Sequence, residues 1–215
     1  MNKIVIYTAI TNDYDALPEL RHVDDRLDYV CFTDNPDLKS DFWKIVLLSG
    51  KEKREDKKVK ILPHKYLEDY EISIWVDANY ILCKNLYHFA YIALKYSNHA
   101  VFRHHENRES LEDEVDMCIK LKKADPKKLK AQLKKYRQEF ENANFEIVHN
   151  AIIIRRHNDK KVKMVMEKWW EQVQNWTMRD QVSFPYVAHK YEYQYNVIRM
   201  NSLRNKWFIR VGHKK

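Results

Sequence analysis

Glycine is scarce in this sequence: only Gly50 and Gly212 occur among its 215 residues. The dinucleotide-binding GxGxxG turn and the Walker loop both need several glycines, because their backbone must close tightly around a phosphate. Neither loop can form here. A nucleotide bound by this chain would therefore be held by side chains and a metal ion.

Cysteine is also rare, and long apolar runs are missing. Cys31, Cys83 and Cys118 lie far apart, and no pair has CxxC spacing. This pattern argues against a zinc site and favours reduced thiols in a cytoplasmic compartment. No run approaches 18 apolar residues, and the first residues do not resemble a signal peptide. We therefore expect a cytoplasmic protein without a transmembrane segment.

The composition is that of a globular protein with surplus positive charge. Hydrophobic residues make up 45% of the chain, and the formal net charge is +8. This length suits one domain with a substantial core. The charge favours an anionic partner, and two function classes stay open. One is an enzyme acting on a nucleotide sugar; the other is a non-catalytic basic α/β module that binds nucleic acid or an anionic surface.

Hydrophobic patterning predicts an α/β fold. Continuous apolar runs, typical of buried strands, indicate strands at residues 3–10, 28–34, 43–48, 72–76, 99–103, 151–154, 197–200 and 207–211. Helices are expected at residues 51–60, 61–67, 85–96, 111–123, 126–140 and 162–176. We expect a single domain over residues 1–215, in which residues 104–144 form a basic helical hairpin insertion.

The most informative stretch is the strand that ends at Asp77, Ala78 and Asn79. In open α/β sheets, ligands bind outside the carboxyl ends of the strands. Hard oxygen donors spaced like this Asp and Asn suit Mg²⁺ or Mn²⁺. Asp and Asn are also ordinary turn residues, so this stretch taken alone favours a surface turn.

Polar residues follow or precede other predicted elements as well. Asp34 ends the second strand, His149 and Asn150 precede a later one, and the segment from Arg179 contains Asp180. Thr177 at an N-cap would give Asp180 a structural role three residues into a helix. Taken together, these clusters shift the interpretation of Asp77 from a turn residue towards a metal ligand.

Several of these runs resemble one known family pattern. The strand followed by TAITNDYD, then FTD, a basic helix, SIWVDAN, RHHENR, IIIRRHN, a WW helix and RDQVSFPY occur in this order. The pattern resembles the plant turgor- and mucilage-related glycosyltransferase-like family and its bacterial relatives, over at least residues 4–186. More broadly, it is similar to GT-A glycosyltransferases and to small chlorovirus glycan-assembly domains. The resemblance implies a GT-A-like fold with a central mixed, mostly parallel sheet flanked by helices.

The resemblance also assigns roles to individual residues. Asp77 and Asn79 match the metal-binding DxD positions, and His213 matches a C-terminal histidine that completes the metal shell. Asp180 and Gln181 match catalytic positions that line the donor sugar. The nucleotide and donor would be contacted by Thr8, Ala9, Tyr14, Asp34, Lys60, Asp77, Ala78, His149, Asn150 and Arg179.

The implied activity is a metal-dependent glycosyl transfer. By this resemblance the donor is a UDP-sugar, the acceptor is a glycan or another hydroxyl compound, and the cofactor is Mn²⁺ or Mg²⁺. Transfer with retention is expected, in polysaccharide biosynthesis and without a nucleic-acid partner. The sequence departs from the pattern at Asn79, because a carboxamide coordinates a hard cation without supplying charge. Basic side chains would then supply part of the neutralisation.

Overall fold

A seven-stranded mixed sheet forms the centre of the molecule, which is known from a computed structural model describing residues 3–50, 54–104 and 108–214. The strand order is β3-β2-β1-β4-β7-β6-β8, and β5 pairs with β9 in a separate two-stranded ribbon. The strands are β1 Ile4–Ile10, β2 Leu27–Thr33, β3 Lys44–Leu47, β4 Ile72–Val76, β5 Tyr80–Leu82, β6 His99–Arg103, β7 Val148–Arg155, β8 Asn196–Ile198 and β9 Phe208–Arg210. The helices are α1 Glu55–Ile61, α2 Tyr87–Ala93, α3 Leu111–Lys120, α4 Pro126–Glu139, α5 Lys160–Asn175 and α6 Asp180–Lys190, with a 3₁₀ turn at Pro63–Lys65.

The first half of the sheet is parallel. β1 lies between β2 and β4, and β3 extends this half beyond β2. Their carboxyl ends therefore open at one edge, where Asp34 follows β2 and Asp77 follows β4. This edge is where an open α/β sheet leaves a crevice for a ligand.

The second half adds antiparallel pairing. β7 runs antiparallel to β4 and β6, whereas β8 runs parallel to β6. Because β7 is reversed, its first residues lie beside the carboxyl end of β4. Val76 pairs with Ile152, and the Asp77 amide donates to the Ala151 carbonyl at 2.8 Å. This pairing brings Asn150 to the edge of the sheet that carries Asp77.

Alternation along the buried strands divides the core between the two sheet faces. In β1, Val5 and Tyr7 pack with Trp169 of α5, whereas Ile4 and Ile6 pack with α2. Helices α1, α5 and α6 contribute to the first cluster. Each sheet face therefore has its own apolar cover, as expected for strands with near-continuous apolar sequences.

The predicted fold class is confirmed, with local differences. β5, three residues long, was not predicted, and β7 begins earlier than expected, so that it includes His149 and Asn150. Helices α3 and α4 lie where the helical hairpin is predicted. Residues 51–53 of the predicted basic helix and residues 105–107 of the RHHENR run lie outside the described residues. Within the described ranges, no helix has the length and apolarity needed to cross a membrane.

Candidate active site

A cleft of about 1030 Å³ opens along the carboxyl edge of the parallel strands. The loop after β1, the start of α1, the start of α6 and the α3–α4 hairpin complete its walls. The predicted site residues that line it are Ala9, Tyr14, Asp34, Lys60, Asp77, Ala78, Asn79, His149, Asn150, Arg179, Asp180, Gln181 and His213. The fold thus brings positions from Ala9 to His213 into one cavity.

Thr8 is the exception among the predicted residues. Its side chain is fully buried within β1 and is not part of the cleft lining. The preceding residues of β1 alternate between the two sheet faces, and Thr8 points into packed interior before the strand reaches the edge. Direct contact between Thr8 and a molecule in the cleft is therefore not supported.

One side of the cleft, which we call the helical wall, consists of Lys57, Lys60, Arg179 and Asp180. Lys57 and Lys60 are three residues apart on α1 and so share one helix face. Lys57 Nζ lies 3.1 Å from Asp180 Oδ1, and Lys60 Nζ lies 2.8 Å from Asp180 Oδ2. Lys60 Nζ also lies 3.3 Å from Asp77 Oδ1. A continuous set of charges therefore connects α6 to the end of β4.

Burial makes these charges interdependent. The side chains of Lys60 and Asp180 are each only 3% exposed. Burial by itself would raise the pKa of Asp180, but Lys57, Lys60 and Arg179 outweigh it and hold that pKa well below its usual range. Burial lowers the pKa of Lys57, whereas the Asp180 and Asp77 carboxylates outweigh burial at Lys60 and raise its pKa. The three positive charges therefore favour the ionised form of Asp180.

Two buried side chains donate hydrogen bonds to the backbone carbonyl of Lys60. The last carbonyls of a helix lack partners within the helix. Here the Tyr7 hydroxyl donates to the Lys60 carbonyl at 3.0 Å, and Arg155 Nη2 donates to the same oxygen at 2.6 Å. Arg155 Nη1 donates to the Ile61 carbonyl at 3.3 Å. Arg155, which is fully buried, thereby secures the end of α1 and the position of the Lys60 side chain.

The first turn of α6 is held in a similar way. Trp169 Nε1 donates to the Asp180 carbonyl at 3.1 Å, and the Ser183 hydroxyl donates to it at 3.3 Å. The predicted N-cap at Thr177 is wrong: Arg179 is the N-cap residue, and Asp180 begins the helix. The Thr177 hydroxyl instead donates to Gln132 Oε1 of α4 at 2.7 Å. A tertiary contact has replaced the local cap.

The floor of the cleft carries the carboxamide of Asn150. Asn150 is 1% exposed, and neither its Oδ1 nor its Nδ2 has a hydrogen bond within the described part of the chain. Gln181 approaches the same strand, because its Nε2 donates to the Val148 carbonyl at 3.4 Å. A buried amide left without a partner costs free energy, so its position in a cleft lining indicates a polar ligand.

The opposite side of the cleft, which we call the loop wall, consists of Asn12, Tyr14, Asp34 and His213. Both carboxylate oxygens of Asp34 accept from the Asn12 amide, at 3.1 and 3.0 Å, and fix a turn in which Asn12 has a φ of 56°. Tyr14 is 61% exposed, and its ring centroid lies 4.9 Å from that of His213. This wall offers an exposed aromatic face but little buried charge.

The predicted metal ligands have suitable donor chemistry. The Asp15 carboxylate lies 2.9 Å from His213 Nδ1, an arrangement that leaves Nε2 available as a ligand. Nε2 lies 3.5 Å from Asn79 Nδ2, a contact that a bound cation would replace. The Asp77 side chain is 38% exposed. Among the described residues, no group of three His, Cys, Asp or Glu side chains forms a ready metal site. The set therefore fits a hard cation only when the Asn79 oxygen is counted as a ligand.

Sequence reasoning missed part of the cleft lining. Lys57 was visible only as one of several basic residues, although its spacing from Lys60 signals a shared helix face. Arg108, Leu121 and Lys123 also line the cleft. They belong to the region of the predicted helical hairpin insertion, in which the sequence indicated no individual site residues. Their contribution depends on tertiary packing that leaves no local pattern.

Solved glycosyltransferase structures share this fold. The crystal structure of mouse xyloside xylosyltransferase 1 in its apo form superposes with a TM-score of 0.52 at 8% identity, covering 92% of this chain and 84% of that one. The galactosyltransferase LgtC, in complex with donor and acceptor sugar analogs, gives 0.50 at 9% identity, covering 93% and 73%. The apo bifunctional glycosyltransferase WbbM gives 0.52 at 8% identity, but the match spans only 38% of WbbM. At such low identities the likeness establishes the GT-A fold alone.

The sequence itself gives a family match. No curated protein matches significantly. Residues 33–213 match the TOD1/MUCI70 glycosyltransferase-like domain, and this range includes both α1 and α6 of the helical wall. The match extends over most of the chain. The chain therefore belongs to the TOD1/MUCI70 glycosyltransferase-like domain family.

Proposed function

We propose that this chain transfers a sugar from a UDP-sugar to a hydroxyl of a glycan or glycoconjugate, with retention and with Mn²⁺ or Mg²⁺ as cofactor. The family and the fold support glycosyl transfer in general. The choice of UDP, the metal and the stereochemistry are carried over from the sequence pattern and from the chemistry of the cleft. The domain as a whole, residues 1–215 with the insertion at 104–144, would act as one unit.

The observation that carries the proposal is the buried carboxamide of Asn150, which has no hydrogen-bond partner among the residues that the structure describes. It lies on the cleft floor, and Asp77 and Gln181 contact the same strand, β7, on either side of it. A carboxamide can donate and accept hydrogen bonds, which matches the hydroxyl groups of a sugar. A site built in this way discriminates strongly against ligands that leave its polar groups unpaired. Asn150 is therefore proposed to bind the donor sugar.

Asp77, Asn79 and His213 would hold the divalent cation. When bound, the cation would neutralise the charge that develops on the departing diphosphate. Lys60, whose raised pKa keeps it protonated, supplies a second positive charge beside Asp77. Tyr14 presents its exposed ring on the loop wall, where a uracil base would stack, and Ala9 and Asp34 border the same space.

The contacts and burial of Asp180 argue against its acting as the general base of an inverting enzyme. An inverting enzyme needs a general base near the acceptor hydroxyl, and a useful base has a pKa near the working pH. Burial alone would raise the pKa of Asp180, but the positive charges of Lys57, Lys60 and Arg179 outweigh burial and hold that pKa far below this range. Asp180 would instead orient the sugar and the lysines, leaving the Gln181 side chain to face the anomeric carbon.

Hydrolysis of UDP-glucose in the presence of Mn²⁺ tests the proposal without an identified acceptor. The wild-type protein should release glucose, and Asp77→Asn should remove the stimulation by Mn²⁺. Because the Asp77 side chain is partly exposed and Lys60 keeps its closer contact with Asp180, the variant should stay folded, with an unfolding midpoint close to that of the wild type. Asp116→Asn, at an exposed position of α3 away from the cleft lining, makes the same charge change and serves as the control. Mn²⁺-stimulated hydrolysis that persists in Asp77→Asn would overturn the metal assignment.

A further inference from the structure

A strongly basic surface covers the exposed side of the α3–α4 hairpin. Residues 120–137 contain nine basic side chains and a single acidic one, that of Asp125. Six of the lysines are exposed and lie outside the cleft lining, namely Lys120, Lys122, Lys127, Lys128, Lys130 and Lys134. We call these six lysines the basic face. The proposed sugar transfer uses none of them.

Three of these lysines form a stripe along α4. Lys127, Lys130 and Lys134 are three and four residues apart, so they project from the same side of the helix. Leu129 and Tyr136, on the other side, are fully buried. The stripe is about 10 Å long, since each helical residue adds about 1.5 Å. It presents its charges together, on the side of α4 opposite the core.

Most acidic side chains of the hairpin are engaged elsewhere. Glu112 forms an ion pair with Arg137, and Glu139 forms one with Lys190. Within the ranges that the structure describes, none of the six lysines of the basic face has a side-chain hydrogen bond or an ion pair. The positive charge of this surface is therefore not neutralised by the protein.

The basic face also opposes the electrostatics of its own helix. The N-terminus of a helix carries a partial positive charge, so cations in the first turn are unfavourable. The first turn of α4 nevertheless holds Lys127 and Lys128 and no acidic residue; Asp125 precedes it as the N-cap. Lys130 and Lys134 are like charges four residues apart, which costs further stability. A surface that lowers helix stability in this way indicates a role other than folding.

Contacts beneath the basic face fix its position. The rings of Tyr136 and Tyr186 stack with centroids 3.7 Å apart, and the Tyr136 hydroxyl donates to Gln172 Oε1 at 3.1 Å. Gln132 Oε1 accepts from the Thr177 hydroxyl at 2.7 Å. These contacts join α4 to α5 and to the segment that precedes α6. A partner bound at the basic face therefore does not have to order the helix first.

The residue types of this surface favour a lipid bilayer over a nucleic acid. Nucleic-acid sites use arginine and, for single strands, exposed aromatic rings on which bases stack. The basic face consists of lysines, and no aromatic side chain of residues 111–139 is exposed. Leu121, between Lys120 and Lys122 in the chain, is 51% exposed. Lysines around an exposed apolar side chain are typical of surfaces that bind anionic headgroups.

We propose that the basic face docks on a membrane that contains anionic phospholipids, with Leu121 entering the headgroup region. Leu121 also lines the cleft, so this docking places the mouth of the cleft at the membrane surface. The docking does not depend on the donor, the metal or the stereochemistry of the proposed sugar transfer.

Co-sedimentation with lipid vesicles tests the docking. At about 0.1 M salt, the wild-type protein should sediment with phosphatidylcholine vesicles that contain about 30% phosphatidylserine and not with phosphatidylcholine alone. About 1 M salt should release it, because the charges are then screened within about 3 Å. The stripe variant, which combines Lys127→Gln, Lys130→Gln and Lys134→Gln, should bind about a hundredfold more weakly, since each lysine contributes a factor of about five.

A matched variant removes the same charge outside the hairpin. It combines substitutions at three other exposed lysines, Lys39→Gln, Lys84→Gln and Lys160→Gln. Vesicle binding should weaken by less than about threefold, because distant charges are screened. Leu121→Ser should weaken binding by about fivefold. All the substituted lysines are exposed, so both triple variants should keep the circular dichroism spectrum of the wild type.

Three outcomes overturn the proposal. The first is failure of the wild-type protein to bind the anionic vesicles, and the second is equal binding by the two triple variants. The third comes from fluorescence anisotropy with a DNA duplex and a single-stranded RNA. A complex with either that excess anionic vesicles do not displace would assign the basic face to nucleic acid. UDP binding is measured separately, so failure of the docking leaves the proposed function unaffected.

Discussion

The two walls of the cleft are built on different physical principles. The loop wall presents Tyr14 and Asp34 near solvent, and Asp34 is occupied in fixing the Asn12 turn. The helical wall buries Lys60 and Asp180 in a charge network. Tyr7 and Arg155 hold this network in place through hydrogen bonds to the Lys60 carbonyl. The loop wall can adjust to a ligand at little cost. The helical wall is preorganised, which is what a site needs where charge develops during the reaction.

The largest expected contrast between the walls comes from removing Asp180. Asp180→Asn leaves the buried Lys57 without its counter-ion and Lys60 with Asp77 alone, which should lower the free energy of unfolding by about 3–5 kcal/mol. Urea denaturation monitored by tryptophan fluorescence measures this loss. A loss below about 1 kcal/mol would mean that the buried network is not the structural centre of the wall.

Acid should have the next largest effect on stability, through a buried histidine that follows β7. Burial lowers the pKa of His157 to about 4, and its Nε2 donates to the Leu67 carbonyl at 2.8 Å. Below about pH 6.5, His157 binds a proton in the unfolded chain but stays neutral in the folded protein. The free energy of unfolding therefore falls as the pH drops towards about 4. We expect a loss of about 2 kcal/mol between pH 7 and pH 5. His157→Gln should flatten this slope in urea denaturation series; an unchanged slope would assign the pH dependence to other groups.

Removing one buried hydroxyl should have a smaller effect. Tyr7→Phe deletes the hydrogen bond to the Lys60 carbonyl, but Arg155 Nη2 still donates to that oxygen. The free energy of unfolding should fall by about 1 kcal/mol, as is usual for one buried hydrogen bond. The Michaelis constant for UDP-glucose should rise at the same time, because the Lys60 backbone loses one of the hydrogen bonds that position it. Stability that falls without any kinetic change would restrict Tyr7 to a core role.

The smallest effect is expected on the loop wall. Asp34→Asn keeps an oxygen that accepts from the Asn12 amide, and the side chain is exposed. The free energy of unfolding should stay within about 0.5 kcal/mol of the wild-type value. The same denaturation assay provides the comparison with Asp180→Asn. Equal losses for the two substitutions would remove the distinction between the walls.

The fold was largely predictable because its strands are long and apolar. The runs at β1, β2 and β4 stand out without any tertiary information, and their polar endings at Asp34 and Asp77 point to the edge where the cleft lies. β5 was missed because three residues carry too little periodicity to separate a strand from a loop. Its pairing with β9 brings Val211 to Asn79 and so places His213 beside the cleft.

The site was predictable where it follows strand ends and unpredictable where it depends on packing. Trp169 belongs to an obvious apolar helix face, but that pattern does not reveal its hydrogen bond to the Asp180 carbonyl. Thr177 satisfies a local capping rule, yet its hydroxyl bonds to Gln132 of another helix. Lys123 becomes a cleft residue only through the position of the hairpin. Contacts between distant segments leave no spacing signal in the sequence.

We propose above all that a nucleotide diphosphate binds through a metal at the end of β4. Calorimetric titration with UDP, with Mn²⁺ and then with the metal removed by EDTA, tests this most directly. We predict that Mn²⁺ tightens UDP binding to the wild-type protein at least tenfold, equivalent to about 1.4 kcal/mol, and that Asp77→Asn abolishes this gain. UDP binding that is equally tight without metal, or that Asp77→Asn leaves unchanged, would contradict the account.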